Sequence, residues 1–207
     1  MKTLLLMRHA KSSWKDKTLP DIARPLNKRG RRDAPLMGQL LVDQELIPQR
    51  IISSSAVRSR QTAEAVLEVI KQASGYEPQV DYQDRLYMAE TPEFYDVLRE
   101  LPDDLERVML IGHNPGLETL LQLLSDRIES LPTAVVAHVI LPIKQWSELN
   151  FDTTGDLVDI WRPKELLEEI EEEAEEKEKK GKSKPKAKEK DKEKEKKKSK
   201  DKKKKDM

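Results

Sequence analysis

The 207-residue chain contains no cysteine, which excludes disulfides, thiol nucleophiles and thiolate metal sites. No apolar run approaches the ~18–20 residues that span a bilayer, so no membrane association is expected. Lys2 followed by Leu4–Met7 imitates the start of a signal peptide, but the apolar stretch is too short and runs straight into Arg8. A cytoplasmic protein is the expectation. No internal repeat is visible in the first 165 residues. Histidine is scarce too, at three residues, so the position of each one is informative.

What is present is charge, unevenly placed. The formal net charge of zero hides a segment 1–164 at −3, a Glu-rich segment 165–178 at −8 and a Lys-rich segment 179–207 at +11. These shifts divide the chain into an expected domain over 1–165, a Glu-rich helical extension over 166–178 and a tail over 179–207. The tail cannot bury enough apolar surface to offset its ordering entropy and is expected to be disordered. It lacks interleaved aromatics and its acidic residues dilute it, so a solubilising role is preferred. Nucleic acid is not an expected partner, and weak contacts with anionic surfaces stay open.

Within the first 165 residues strand and helix signals alternate. Buried strands are expected at Thr3–Met7 and Arg107–Ile111, with shorter ones at Arg50–Ser53 and Gln79–Asp81. Ala134–Leu141 and Leu157–Trp161 complete the set. Helices are expected over Asn27–Leu46, with Pro35 kinking or restarting it, and over Ala56–Ala73. Two more are expected from the Thr91-Pro92 cap to about Leu101, and over Leu117–Leu124. Residues 11–26, polar and with two prolines, read as a long loop. The alternation predicts an α/β three-layer αβα sandwich around a mixed, mostly parallel sheet.

Three segments carry chemistry, and all fall at carboxyl ends of predicted strands, where open α/β sheets bind ligands. Arg8-His9 follows Leu4–Met7, offering a planar fork for phosphate oxygens and an imidazole nucleophile. Ser53–Ser55 precedes a helix start, and Arg58 lies in its first turn. A cation there opposes the helix dipole, which points to an anionic partner nearby. Gly112-His113-Asn114-Pro115-Gly116 presents a second imidazole. Each segment alone also fits a plain alternative: a surface loop pair, an N-cap serine with a solvated arginine, or a turn with an incidental histidine. His138, inside a strand-like run, reads as structural.

Together these residues resemble the histidine phosphatase superfamily, also called phosphoglycerate mutase-like. The R-H-G pattern reads Arg8-His9-Ala10 here, S-x-x-x-R-x-x-x-T reads Ser54, Arg58 and Thr62, and G-H reads Gly112-His113. The SixA-type phosphohistidine phosphatases look closest. That branch is indicated by Met7–Trp14, Arg24-Pro25-Leu26 before Arg29-Gly30, Gly112–Glu118, Leu131-Pro132-Thr133 and Arg162–Leu166.

The resemblance implies that His9 takes the phosphoryl group covalently, that Arg8 and Arg58 bind its oxygens, and that His113 stabilises their charge. Lys11, Ser12 and Asn114 join Arg8 and Arg58 as candidate substrate-binding residues. No metal or other cofactor is implied. The implied partner is a phosphohistidine-bearing protein such as a phosphotransfer domain.

Two positions depart from the pattern. Ala10 replaces the glycine, and Met88 stands where mutase relatives carry a glutamate acid. Glu90 is a candidate acid nearby, reaching the site by a loop bend, as is Asp84. The imidazole of phosphohistidine needs an acid less than an alkoxide does, so Met88 favours a phosphohistidine substrate. The alternatives are a small-molecule phosphomonoesterase of the same superfamily and a non-catalytic phosphate-binding module.

Overall fold

The computed structural model describes residues 1–182. The chain divides into two units, a compact one over Met1–Glu165 and a segment beginning at Leu166, described up to residue 182. The first holds six strands: β1 (Lys2–Arg8), β2 (Arg50–Ser54), β3 (Gln79–Gln83), β4 (Arg107–Gly112), β5 (Val136–Leu141) and β6 (Asp156–Trp161). They make one sheet in the order β3-β2-β4-β1-β5-β6. Strands β3, β2, β4 and β1 run parallel, β5 runs antiparallel to β1, and β6 antiparallel to β5. This is the mixed, mostly parallel sheet that the alternating pattern predicts.

Strands β1 and β4 are continuous apolar runs because helices cover both faces of the sheet. The helices are α1 (Lys28–Asp43), α2 (Val57–Ser74), α3 (Thr91–Arg99) and α4 (Gly116–Ser125). Side chains alternate across a strand. Leu4, Leu6, Val108 and Leu110 join one cluster with Phe94 and Leu98 of α3 and Leu117, Leu120 and Leu121 of α4. Leu5, Met7, Met109 and Ile111 point the other way, and they too are fully buried, as are Met37 and Leu41 of α1 and Val66 and Ile70 of α2.

Several local expectations need correction. Helix α1 continues through Pro35 and does not restart there; the carbonyl this leaves without its helical donor belongs to exposed Arg31, where solvent can serve it. Asn27 is its cap, accepting from Gly30 N at 2.9 Å. The cap of α3 is Glu90 rather than Thr91, which puts Pro92 in the first turn. Neither Ser54 nor Ser55 caps α2: Ala56 takes that place, and Ser54 is engaged elsewhere. The 11–26 loop contains a short 3-10 turn at Asp21–Ala23 and a bridge between Ser12 and Leu26.

Helix α5 (Pro163–Lys182) starts before the expected Glu-rich extension and continues past Lys179. Its Lys177 and Lys179 pair with Glu173 and Glu175 one turn earlier, at 3.1 and 3.2 Å. The rest of the expected disordered tail lies outside the described residues.

Gly30 sets how the loop after β1 meets α1. A Cβ at Gly30 would overlap the Lys11 carbonyl oxygen, so only glycine permits this approach. Gly30→Ala is expected to destabilise the fold by roughly 1–3 kcal/mol, as overpacking does, seen as a lowered urea midpoint with an unchanged slope.

Candidate active site

Sheet register builds the site. Arg8 of β1 stands opposite Gly112 of β4, so the next residues, His9 and His113, emerge side by side. His9 N donates to Gly112 O at 3.1 Å, and the two imidazole centroids are 5.0 Å apart. On the other side of β4, Ser53 pairs with Ile111, which carries Ser54 to His113. Helix α2 starts three residues later and swings Arg58 over both rings.

Hydrogen bonding fixes both tautomers. His9 Nδ1 lies 2.8 Å from the Ala10 carbonyl, which can only accept, so Nδ1 carries the proton. His9 Nε2 is thereby a free base, and Arg58 Nε donates to it at 3.2 Å. For His113 the logic reverses. Arg58 Nη2 can only donate to His113 Nδ1, at 3.2 Å, so the proton sits on Nε2 and is donated to Ser54 Oγ at 2.8 Å.

One hydroxyl ties these parts together: Thr62 Oγ1 accepts from Ala10 N at 3.0 Å and donates to Arg58 O at 2.7 Å. Ala10 does not have the positive φ that would demand glycine, so the departure from the R-H-G pattern costs no backbone strain.

The four candidate catalytic residues thus converge on one cleft of about 520 Å³, with Arg8, His9, Arg58 and His113 in its lining. His9 and His113 are 8% and 3% exposed, at its floor. Arg8 Nη1 donates to Leu131 O at 3.0 Å, while its buried Nε has no partner. Lys11, Ser12 and Asn114 also line the cleft. Ser12 Oγ is held by Arg24 Nη2 rather than left free. Asn114 donates to Leu131 O at 3.0 Å and keeps a buried Oδ1 without a partner. Glu90 does not join them: it is exposed at the start of α3 and is not in the lining, and neither is Asp84. Met88 is there instead. His138 sits mid-strand on β5 opposite Leu5, stacked on Trp161 at 6.2 Å.

Sequence reasoning missed Asp21, Arg24 and Tyr87 as cleft residues. The dipole argument asked for an anion beside Arg58, and that anion is Asp21. Arg58 Nη2 donates to Asp21 Oδ2 at 2.9 Å and Nη1 to its carbonyl at 2.7 Å. Arg24 Nη1 reaches Oδ1 at 2.5 Å and the Tyr87 hydroxyl reaches Oδ2 at 3.0 Å. Burial raises the Asp21 carboxyl, but the Tyr87 bond and the Arg58 and Arg24 contacts outweigh it and hold it below the usual carboxylate value.

These contacts define a chemistry: a neutral base aimed at a cradle of three guanidinium groups. Comparison with known proteins agrees. The family model of the histidine phosphatase superfamily (branch 1) matches residues 4–107. The chain belongs to that superfamily. An uncharacterized chloroplastic protein of Arabidopsis thaliana is 33% identical over 153 residues, covering 70% of this chain and 69% of that one.

Two solved structures assigned as the phosphohistidine phosphatase SixA are similar, each 25% identical over 78% of this chain. The Nakamurella multipartitia structure has a TM-score of 0.67 with 96% of that chain covered. The Agrobacterium tumefaciens structure has 0.64 with 99% covered. A mycobacterial glucosyl-3-phosphoglycerate phosphatase shares the fold at a TM-score of 0.54 and 14% identity, over 78% of this chain and 98% of its own. Family and neighbours together indicate a hydrolase of the phosphatase class.

Burial, reinforced by the Arg58 and Arg8 charges, drops His9 to about 4. Burial again, with the neighbouring His9 and Arg58, drops His113 to about 3. Both start from an ordinary 6.5, so below that pH the unfolded chain binds protons that the fold refuses. Their contribution is therefore complete above about pH 6.5 and is lost as pH falls towards 4 and then 3. Thermal unfolding from pH 7 to 4 is expected to show a falling midpoint, with a shallower fall in His113→Asn.

Proposed function

We propose that this protein removes phosphoryl groups from phosphohistidine on a protein, through a covalent intermediate on His9 and without a metal. The observation that carries the reading is the make-up of the cleft. Its lining includes one carboxylate, Asp21, and the two arginines and Tyr87 hold that carboxylate ionised. An alkyl ester leaves as an alkoxide and gains roughly 10²–10⁴ in rate from a general acid. The cleft's one carboxyl is ionised near neutral pH and so is not set to act as that acid. The imidazole of a phosphohistidine can be protonated on its other ring nitrogen near neutral pH, and it then leaves neutral without an acid from the enzyme.

The first step follows from the tautomers. The His9 Nε2 lone pair bonds to phosphorus as the P–N bond of a substrate ring protonated on its other nitrogen breaks, and that bond's electron pair returns to the departing imidazole, which leaves neutral. The His9 ring then becomes cationic, and its Nδ1–H bond to Ala10 O becomes charge-assisted. Arg8 and Arg58 hold the phosphoryl oxygens, and His113, whose proton affinity rises beside the dianion, takes a proton from solvent and stabilises their charge, with Lys11, Ser12 and Asn114 lining the way in. Phosphoryl transfer depends mainly on such positioning and charge stabilisation.

A protein substrate is supported by the rim. Trp14 and Met88 line the cleft while 68% and 57% exposed, and Leu19 and Ile22 on the same loop as Trp14 are exposed as well. Apolar side chains presented around a phosphate cradle fit a folded partner, such as a phosphotransfer domain, better than a sugar phosphate.

Phosphate release from a phosphohistidine-bearing protein and from a simple phosphomonoester, without added metal, tests the reading. Turnover of the first should far exceed that of the second and vanish in His9→Ala. Arg58→Ala should cost on the order of 10²–10³ in rate. Preference for the ester would transfer the site to small molecules. Phosphate-competitive binding without turnover would make it a binding module. Trp14→Ala should raise KM for the protein substrate about tenfold, the scale of a lost interface anchor, with kcat little changed.

A further inference from the structure

The reaction above leaves one step unassigned: what activates the water that frees phosphoryl-His9. The geometry points to Asp21 as the general base for that hydrolysis. This rests on the reading of His9 as the phosphoryl acceptor.

Position comes first. Arg58 Nε faces His9 Nε2 at 3.2 Å, and Arg58 Nη2 faces both His113 Nδ1 at 3.2 Å and Asp21 Oδ2 at 2.9 Å. The carboxylate therefore stands one guanidinium away from the atom that carries the phosphoryl group. Depth gives the direction. His9 is at the floor and 8% exposed, whereas the Asp21 side chain is 42% exposed at the mouth. In-line attack places the water opposite the P–Nε2 bond, on the mouth side, where Asp21 and solvent meet.

Charge makes room for both anions. Arg8, Arg24 and Arg58 against Asp21 leave the lining with two positive charges from these groups, equal and opposite to a phosphoryl dianion. Asp21 thus need not leave when the phosphoryl group arrives. It is ionised beforehand, as a base must be. A dianion beside it, drawing on the same guanidinium, raises its proton affinity at the moment a proton is released.

The step balances. The water oxygen bonds to phosphorus while the P–Nε2 bond breaks and its electron pair returns to Nε2. One water proton passes to the Asp21 carboxylate, inorganic phosphate leaves, and Asp21 then loses that proton to solvent. Tyr87, donating to Oδ2, and Arg24, donating to Oδ1, fix the carboxylate's orientation throughout.

Single-turnover experiments on the full chain, with radiolabelled phosphoramidate as phosphoryl donor, separate formation of phosphoryl-His9 from its hydrolysis. Asp21→Asn should slow hydrolysis about 10²-fold more than it slows formation, so that acid-labile label builds up on the protein. Asp21→Glu should restore part of the hydrolysis. In wild type the hydrolysis rate should fall at acid pH as Asp21 is protonated against Arg58, Arg24 and Tyr87, and Asp21→Asn should lack this limb. The formation step in the same samples reports the titration of His9 and His113 separately.

Equal slowing of both steps, or hydrolysis in Asp21→Asn at the wild-type rate, would overturn the assignment while leaving His9 as the acceptor. Absence of label on wild-type His9, with turnover intact, would overturn the covalent reading itself and the base with it.

Discussion

The site depends on one guanidinium. Arg58 projects from the first turn of α2, where the helix dipole is least hospitable to a cation, and it is buried there. It is tolerable because it is surrounded by acceptors: the His9 and His113 lone pairs on one edge and Asp21 on the other. Each of those acceptors is shaped by the contact in turn. The proton positions on both imidazoles follow from the fact that arginine only donates. Without Arg58, two buried bases and a carboxylate would be left to find other partners.

Burial and charge act together on the imidazoles. Few solvent molecules reach them, and the adjacent arginines penalise a proton further, so each ring stays neutral well below its ordinary range. An imidazole that stays deprotonated at neutral pH keeps its lone pair available there. The same arrangement makes the fold sensitive to acid, because unfolding releases two sites eager to be protonated. Reactivity and acid lability have a common cause here.

Much of this was legible in the chain. The buried strands β1 and β4 stand out because continuous apolar runs end abruptly in Arg8-His9 and Gly112-His113. Arg58 and Thr62 are recoverable by spacing, since one turn of α2 brings both to the same face, and Ser54 stands at the end of the strand just before it. Asp21 was not recoverable, and Arg24 stood out only as part of the Arg24-Pro25-Leu26 motif, with no place in the cleft attached to it. They lie in a polar loop with no periodicity, and their pairing with residues 37 positions away or on neighbouring turns leaves no local trace. The one clue was energetic: an arginine badly placed for its helix implied an anion. Glu90 attracted attention because it is near Met88 in sequence, but Met88 lies at the cleft while the next turn carries Glu90 out to solvent at the cap of α3.

The division between strand ends and loops has an evolutionary meaning. His9, His113 and Ser54 are set by the registers of β1, β4 and β2, and a slip of one residue in any of them would dismantle the floor of the cleft. Trp14, Asp21, Tyr87 and Met88 sit on segments outside the ladder, held by side-chain contacts such as those of Asp21 with Arg58 and Tyr87 and, for the loop after β1, by the close approach at Gly30. Insertions and replacements in those segments leave the register untouched. The sheet can therefore be kept unchanged while the rim is rewritten, so that one pair of buried imidazoles can serve clefts that admit different partners.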